Sequence, residues 1–283
     1  MSFNPPNSNT RPAAAAVWQP SAGAHAIQRA SAIVTFSEAI PTFAAGKLSS
    51  AIRNAARELG MVREEPVHAT LVEIRPGAAP RATEAELVGT QFQDIRGTNI
   101  AQSVAVTTTG VRFETSVYTR WVAFREQLLA LLAPSYPVIE QSVRVGQVAL
   151  EYVDMFYAIN PGPADAQMLL DRKSHLIAAR AFSRLGQWHS HCGWFEEETE
   201  VKRHLVNTDV TVADATGPVG TRRTISIRTH EAEILLEPQS DRSEYLSQIE
   251  PAFACFDKLH VTLKRRLADV LTIDARNMIS LGK

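Results

Sequence analysis

The stretch VRVGQVALEYVDMFYAI, residues 143–159, decides how the chain divides. Its apolar and β-branched residues predict one long strand, and the order of predicted elements starts again at this point. Upstream, AIQRASAIVTFS (26–37) predicts a buried strand, AAGKLSSAIRNAAREL (44–59) a helix, and residues 67–116 four short strands. The first half then closes on a long amphipathic helix, YTRWVAFREQLLALLAP (118–134).

The second half follows the same plan. After the long strand, PADAQMLLDRKSHLIAAR (163–180) predicts a helix or helical turns, residues 181–236 several strands, and FACFDKLHVTLKRRLADVL (253–271) a second long amphipathic helix. A long helix on one face of a curled antiparallel sheet buries the apolar side of both. We therefore predict an α+β fold of two similar modules, 27–137 and 138–283. Each has a strand, a helix, antiparallel strands and a long helix, and the two could share a saddle-like sheet as one domain or two.

The N-terminal residues 1–26 are rich in Pro, Asn, Ser and Ala. They lack the basic start and apolar block of a signal peptide, so we interpret them as a tail that is disordered or draped on a partner. An alternative is that Val17 and Trp18 dock as a short anchor.

The composition is that of an ordinary globular protein, with 45% hydrophobic and 21% charged residues. The 29 basic residues nearly cancel the 30 acidic ones, which disfavours a dedicated nucleic-acid binder. No apolar run approaches the roughly 20 residues of a membrane helix, so we expect no membrane association. Cys192 and Cys255 are too few for a disulfide framework and indicate a cytoplasmic location.

The stretch QWHSHCGWFEEETE, residues 187–200, is the richest in reactive side chains. On a strand, His189 and His191 would share one face, while Trp188, Cys192 and Trp194 would share the other. Two histidines at this spacing could both ligate one metal ion, but a zinc site needs a third protein ligand at a suitable position. The favoured interpretation is a core strand, and His189 and His191 remain the metal-site candidates.

Basic residues cluster in two places, and both sets have simple structural explanations. Those on the last helix complement its dipole, and those after the GPVG turn are predicted to be exposed in a hairpin. If the two sets met on one face, they could bind phosphate groups or a partner. The candidates are Arg222, Arg223 and Arg228 in the hairpin, and Lys264, Arg265 and Arg266 on the helix.

Three acidic residues suggest local structural roles. Asp257 and His260 are spaced for a hydrogen bond on the last helix. Glu151 and Asp154 fall on opposite faces of their strand, and one of them could be buried with Arg144 as its partner.

Three stretches together resemble a sporadically distributed family of uncharacterised bacterial proteins. They are VYTRWVAFREQLLALL (117–132), VRVGQVALEYVDMF (143–156) and FDKLHVTLKRRLADVLTIDARNMI (256–279). The family's strand ends in a Tyr-hydrophobic-Asn motif, whereas this chain has Asp154 at the last position. The resemblance implies a prokaryotic protein with a patchy distribution of the kind associated with mobile or defence loci.

The absence of established catalytic motifs favours a non-enzymatic binding or assembly protein of a bacterial accessory system. We expect it to need no cofactor and to engage a protein partner through its sheet surface or edges, with homo-oligomers left open. The alternatives are a nucleic-acid-binding module that uses a concave sheet, and a metal-dependent hydrolase centred on His189 and His191.

Overall fold

A computed structural model describes residues 17–69, 72–73, 81–82, 85–184, 186–199, 202–217, 220–235 and 248–281. The first half contains β1 (Trp18–Pro20), β2 (Ile27–Phe36), α1 (Thr42–Glu58), β3 (Arg63–Ala69), β4 (Val72–Glu73), β5 (Arg81–Ala82), β6 (Glu86–Arg96), β7 (Asn99–Thr107), β8 (Gly110–Thr115), α2 (Trp121–Leu132) and α3 (Tyr136–Ser142). The second half contains β9 (Val145–Ala158), β10 (Trp188–Thr199), β11 (Lys202–Gly217), β12 (Gly220–Leu235), α4 (Ile249–Val270) and α5 (Ile273–Met278).

The strands of both halves form one large antiparallel sheet. Its order is β10-β11-β12-β9-β2-β8-β7-β6-β3, β1 adds to β9, and β4 pairs with β5 separately. The first strands of the two halves, β2 and β9, are neighbours at the centre, with Ala32 opposite Leu150. Outward from there, β8, β7 and β6 on one side correspond to β12, β11 and β10 on the other. The predicted α+β class with a large antiparallel sheet is confirmed, while the internal duplication stays a prediction.

Helices cover one face of this sheet. Alternate residues of β9, such as Val148, Leu150 and Tyr152, point into a core shared with α1, α2, α3 and α4. Leu48 of α1 and Phe256 of α4 are fully buried in that core. Each such side chain contributes roughly 1.5–3 kcal/mol by leaving water, so the helix layer is held by apolar contact.

A second core lies at the far end of β9 and corrects the predicted tail. Trp18 is buried there beside Phe156, and its indole Nε1 donates to the carbonyl of Asp165 at 3.1 Å. β1 pairs with β9, so the prediction of a tail is wrong for residues 17–26. The alternative of a docked anchor describes them correctly, because burying an indole outweighs the polar composition around it. Residues 1–16 lie outside the described part of the chain.

Of the helix or helical turns predicted over 163–180, the continuous helix is wrong and short turns form instead. Only two short 3-10 turns form there, at Ala166–Met168 and Ala179–Ser183. Met168, Leu169 and Leu170 are all buried in the second core. Three consecutive residues cannot share one face of an α-helix, so their burial favours an irregular path over helix propensity.

None of the helices in the described residues combines the length and apolar content needed to cross a membrane. The longest, α4, carries several charges, including Lys264, Arg265 and Arg266.

Candidate functional site

A charged network crosses the sheet face opposite the helices. Its centre is Glu151 of β9, which is only 3% exposed. Arg228 Nε donates to Glu151 Oε2 at 2.7 Å, and Arg29 Nη2 donates to Oε1 at 3.5 Å. Arg112 Nη2 lies 3.7 Å from the same Oε1. Three guanidinium groups from β12, β2 and β8 therefore compensate one nearly buried carboxylate and connect the two halves.

The network continues to the outer strands through Asp209. Arg228 Nη1 donates to Asp209 Oδ2 at 2.8 Å, and His191 Nδ1 contacts Asp209 Oδ1. Burial alone would raise the pKa of Asp209, but hydrogen bonds with His191 and Arg228 outweigh it and the pKa is lowered. His189 Nδ1 lies 3.0 Å from Thr211 Oγ1. The two histidines thus share the open face, as strand alternation predicted.

The charges of the open face are paired within the protein. Because five of its guanidinium groups each have a carboxylate beside them, these pairs do not form the excess positive surface that a phosphate backbone favours. The pairs on the open-face strands are Arg29 with Glu151, Arg63 with Glu65, Arg112 with Glu114, Arg203 with Glu197, and Arg228 with Glu151.

The hairpin candidates differ in their surroundings. Arg223 is buried and paired with Asp214, so the prediction of an exposed hairpin residue is wrong at this position. Arg222 precedes it on β12 and falls on the opposite face. Arg228 lies in the open-face network described above. The sequence missed the burial of Arg223 because Asp214 comes from the neighbouring strand, across the turn.

The helix candidates lie on the side of the sheet opposite Arg222 and Arg228. Lys264 and Arg265 are exposed on α4, and Arg266 Nε donates to Glu231 Oε1 at 3.0 Å. Arg222 and Arg228 therefore do not meet them on one face, and Arg223, which faces the helix side, is buried with Asp214. A common phosphate-binding surface formed by them is excluded by this placement.

Arg266 belongs to a buried polar cluster that fixes α4 to β12. Glu231 is 0% exposed, and its Oε2 lies 3.0 Å from His204 Nε2. Thr262 also donates to this oxygen. Burial would raise the pKa of Glu231, but the hydrogen bonds from His204 and Thr262 lower it overall. Bonds to both oxygens of Glu231 position the helix more specifically than apolar contact alone.

The histidine pair does not gather a metal-ligand set. Within the described residues, no group of three or more His, Cys, Asp and Glu side chains is arranged to hold a metal ion. Asp209 is the only carboxylate described in contact with both His189 and His191, and it is also paired with Arg228.

We expect chelation to leave the protein unchanged. Dialysis against EDTA should shift the midpoint of thermal unfolding by less than about 1 °C, because the residues that the structure describes hold no ligand set that would add binding energy to the folded state. Differential scanning calorimetry of the dialysed and zinc-supplemented protein measures this. A zinc-dependent rise that disappears in a His189→Ala, His191→Ala variant would show that the pair binds metal.

The two edges of the sheet differ in character. β3 carries Pro66 and the charged residues Arg63, Glu64 and Glu65, which are features that oppose pairing with another strand. β10 spans twelve residues without proline and pairs only with β11 among the described strands.

On the helix side, the chain forms a half-open cavity of about 330 Å³. It lies between β9, the segment before α2, the C-terminal half of α4 and residues 279–281. Its lining combines aromatic, apolar and acidic side chains, including Tyr118, Trp121, Tyr152, Asp154, His260 and Leu263.

One wall of this cavity is a stacked pair. The rings of Trp121 and His260 are nearly parallel, with centroids 4.4 Å apart. Tyr152 Oη lies 3.0 Å from His260 Nδ1, and Trp121 Nε1 donates to Asp257 Oδ1 at 2.9 Å. The predicted bond between Asp257 and His260 is therefore replaced by bonds to Trp121 and Tyr152. Burial, with the charge of Lys264, lowers the pKa of His260 to about 4.

Asp154 forms the most unusual part of the lining. It is 1% exposed, and neither carboxylate oxygen has a hydrogen-bond partner among the described residues. Burial raises its pKa to about 7. We predicted burial of either Glu151 or Asp154 with Arg144. The structure buries both, and it places Arg228 and Arg29 on Glu151 instead.

Sequence reasoning missed the cavity but singled out its components. The three stretches that carry the family resemblance meet at this cavity. They contribute Trp121, Tyr152 with Asp154, and His260. These residues lie far apart along the chain and match no recognised motif, so the sequence did not indicate that they line one cavity.

The fold and the site define an α+β protein with an open polar sheet face, an edge strand that pairs on one side only among the described strands, and a half-open cavity. No protein-family model matches the chain. A search among curated proteins finds no match either. Among solved structures, the chain is similar to the crystal structure of the di-domain ARO/CYC StfQ from the steffimycin biosynthetic pathway, at 8% identity and a TM-score of 0.19. The match covers 89% of this chain and 98% of that chain, and a TM-score this low supports no conclusion about fold or function.

Proposed function

We propose that this chain is a non-enzymatic binding or assembly protein, and that an extended segment of a protein partner pairs with the edge of β10. The observation that carries the proposal is the contrast between the two sheet edges: β3 has a proline inside the strand, whereas β10 has none and pairs only with β11 among the described strands.

The backbone of an edge strand offers alternating N–H and C=O groups that an added strand can bind. Proteins usually block such edges with proline, charge or irregular pairing. β3 has all three, including a register shift between Val67 and His68. β10 has no proline and keeps a regular register with β11 from Trp188 to Glu197, and its glutamates and its register shift fall at the far end of the strand, between Glu196 and Thr199. A partner strand could therefore add along about ten residues and extend the sheet.

The side chains beside this edge favour a protein ligand. Phe195 is 57% exposed on the open face, next to Leu205 of β11. An apolar residue of the partner strand would cover both. The nearby Arg203 is already paired with Glu197, which favours a peptide over a phosphate backbone at this place.

Other parts of the proposal rest on sequence alone. The bacterial accessory setting comes from the resemblance, and the cytoplasmic location from the cysteine content. The equivalent strand orders on the two sides of β2 and β9 support an origin of the two modules by duplication.

Replacing Phe195 by Lys should abolish partner capture. A charge beside the edge removes the apolar contact and opposes strand addition. Phe43→Lys is the matched control, because Phe43 is also exposed but lies on α1. The measurement is affinity purification of tagged chains from the native host with nuclease present, quantified by mass spectrometry. We expect a protein that is retained by the parent and Phe43→Lys chains and reduced by about tenfold or more with Phe195→Lys.

Three outcomes would contradict the proposal. Equal capture by both variants would place the interface elsewhere. Loss of all partners upon nuclease treatment would favour nucleic acid. If the purified chain alone forms a dimer in sedimentation that Phe195→Lys dissociates, the edge binds a second copy rather than a different partner.

A further inference from the structure

We propose that the cavity around Asp154 binds a small organic ammonium ion, with its N–H donors on the Asp154 carboxylate and its carbon skeleton against the aromatic wall. This inference is independent of the partner that β10 binds, because the cavity lies at β9, three strands away from the edge of β10, and no residue of β10 lines it.

The first argument is the unsatisfied carboxylate. Buried polar groups in proteins are nearly always hydrogen-bonded, and a buried charge is nearly always paired. Glu151 and Glu231 follow this rule with arginine and histidine partners. Asp154 is as buried as they are, and both of its oxygens lack a partner among the described residues. A cationic donor supplied from outside would satisfy both oxygens.

The second argument is the wall around the carboxylate. Tyr118, Trp121 and Tyr152 line the same cavity, and aromatic faces attract ammonium groups. Neighbouring apolar side chains, Ile27, Leu263 and Leu267, would contact the hydrocarbon part of a ligand. A cavity of about 330 Å³ lies at the lower end of the range for small-molecule sites, so the ligand is small.

The charge states of the other titratable lining groups determine where the ammonium group of the ligand is favoured. His260 has a pKa of about 4 and is neutral near pH 7. Burial raises the pKa of Tyr118 to about 12 and that of Tyr152 well above 10, so both stay neutral. Arg120 and Lys264 are exposed members of the lining and lie toward solvent. The remaining titratable member, His25, makes an edge contact with Tyr118. A cation is thus favoured inside at Asp154 and disfavoured at the rim.

The test is titration calorimetry of the full chain at pH 8 with ethylammonium, isopentylammonium and phenethylammonium. The corresponding alcohols, ethanol, isopentanol and 2-phenylethanol, are neutral counterparts. We expect at least one ammonium ion to bind at millimolar concentration or below, and its alcohol to bind about tenfold more weakly. Below pH 7 the affinity should fall by about tenfold per pH unit, as Asp154 takes up its proton.

Variants locate the site. Asp154→Asn should weaken binding of the same ammonium ion by about tenfold or more, while Asp209→Asn, the same change on the open face, should leave it unchanged. The thermal unfolding of each variant confirms that it is folded. The proposal is overturned if none of the three ammonium ions binds, if an alcohol binds as well as its ammonium ion, or if folded Asp154→Asn binds as the parent does.

Discussion

Replacing Asp154 by Asn should raise the free energy of unfolding by about 3–4 kcal/mol more at pH 8 than at pH 4. Burial raises the pKa of Asp154 from 3.8 to about 7 in the folded chain. Between these values the unfolded chain releases the proton and the folded chain retains it. The parent therefore loses stability as the pH rises through this window, and Asn has no proton to lose.

The change with pH is the quantity to measure, since the Asn amide is itself buried and adds a constant offset. His260 makes the comparison with the parent necessary. Its folded pKa of about 4 is below the usual 6.5, so its contribution is present above pH 6.5 and is lost as the pH falls toward 4. The trends of Asp154 and His260 oppose each other in the parent, and subtracting the two curves isolates Asp154.

Urea unfolding of both chains at a series of pH values from 4 to 8 gives this difference. Asp209→Asn on the open face is the control, and it should not reproduce the rise, because the pKa of Asp209 is lowered rather than raised. A difference between parent and Asp154→Asn that stays constant over the whole pH range would show that Asp154 has an ordinary pKa.

Replacing Glu231 by Ala should lower the free energy of unfolding by about 3–5 kcal/mol at pH 7. The carboxylate is fully buried between β12 and α4, with His204, Thr262 and Arg266 around it. Its removal leaves His204 Nε2 and Arg266 Nε without this acceptor. The free-energy cost of leaving buried polar groups unpaired exceeds the loss of the ion-pair attraction. Glu231→Gln should fall between the parent and Glu231→Ala, because it keeps one acceptor oxygen.

Glu196→Gln is the matched control for this cluster. Glu196 accepts from the same Arg266, at 2.9 Å, but is 46% exposed at its side chain. An exposed ion pair contributes little, so the change should cost less than about 1 kcal/mol. Chemical denaturation of the three variants and the parent measures these changes in the free energy of unfolding. Equal losses for Glu196→Gln and Glu231→Ala would mean that burial of the cluster does not determine its contribution.

The sequence predicted the regular elements well where one pattern decided them. β9 is rich in apolar and β-branched residues, and α2 and α4 carry their apolar residues at helical spacing, so local pattern and tertiary burial agree. It failed where tertiary contacts overrode composition. Burial of Trp18 places a polar segment beside the second core. The segment from Met168 to Leu170 is not α-helical, and all three of its side chains are buried.

The candidate sites were predictable only in part. Strand alternation correctly grouped His189 with His191, because that relation is local. The partners of Glu151 come from three other strands, and no local spacing reveals Arg29, Arg112 and Arg228 as neighbours. The cavity is likewise lined by residues that are far apart in sequence. The sequence therefore singled out some of them but not their proximity.

The most direct test of the proposed function is hydrogen exchange at the backbone amides of β10, measured with and without the captured partner. We predict that alternate amides between Trp188 and Glu197 exchange about tenfold or more slowly in the complex, because an added strand accepts hydrogen bonds from that edge. Exchange in β3 and on the exposed side of α4 should not change. Slowing that appears on β3 or α4 and leaves β10 unaffected would contradict the account.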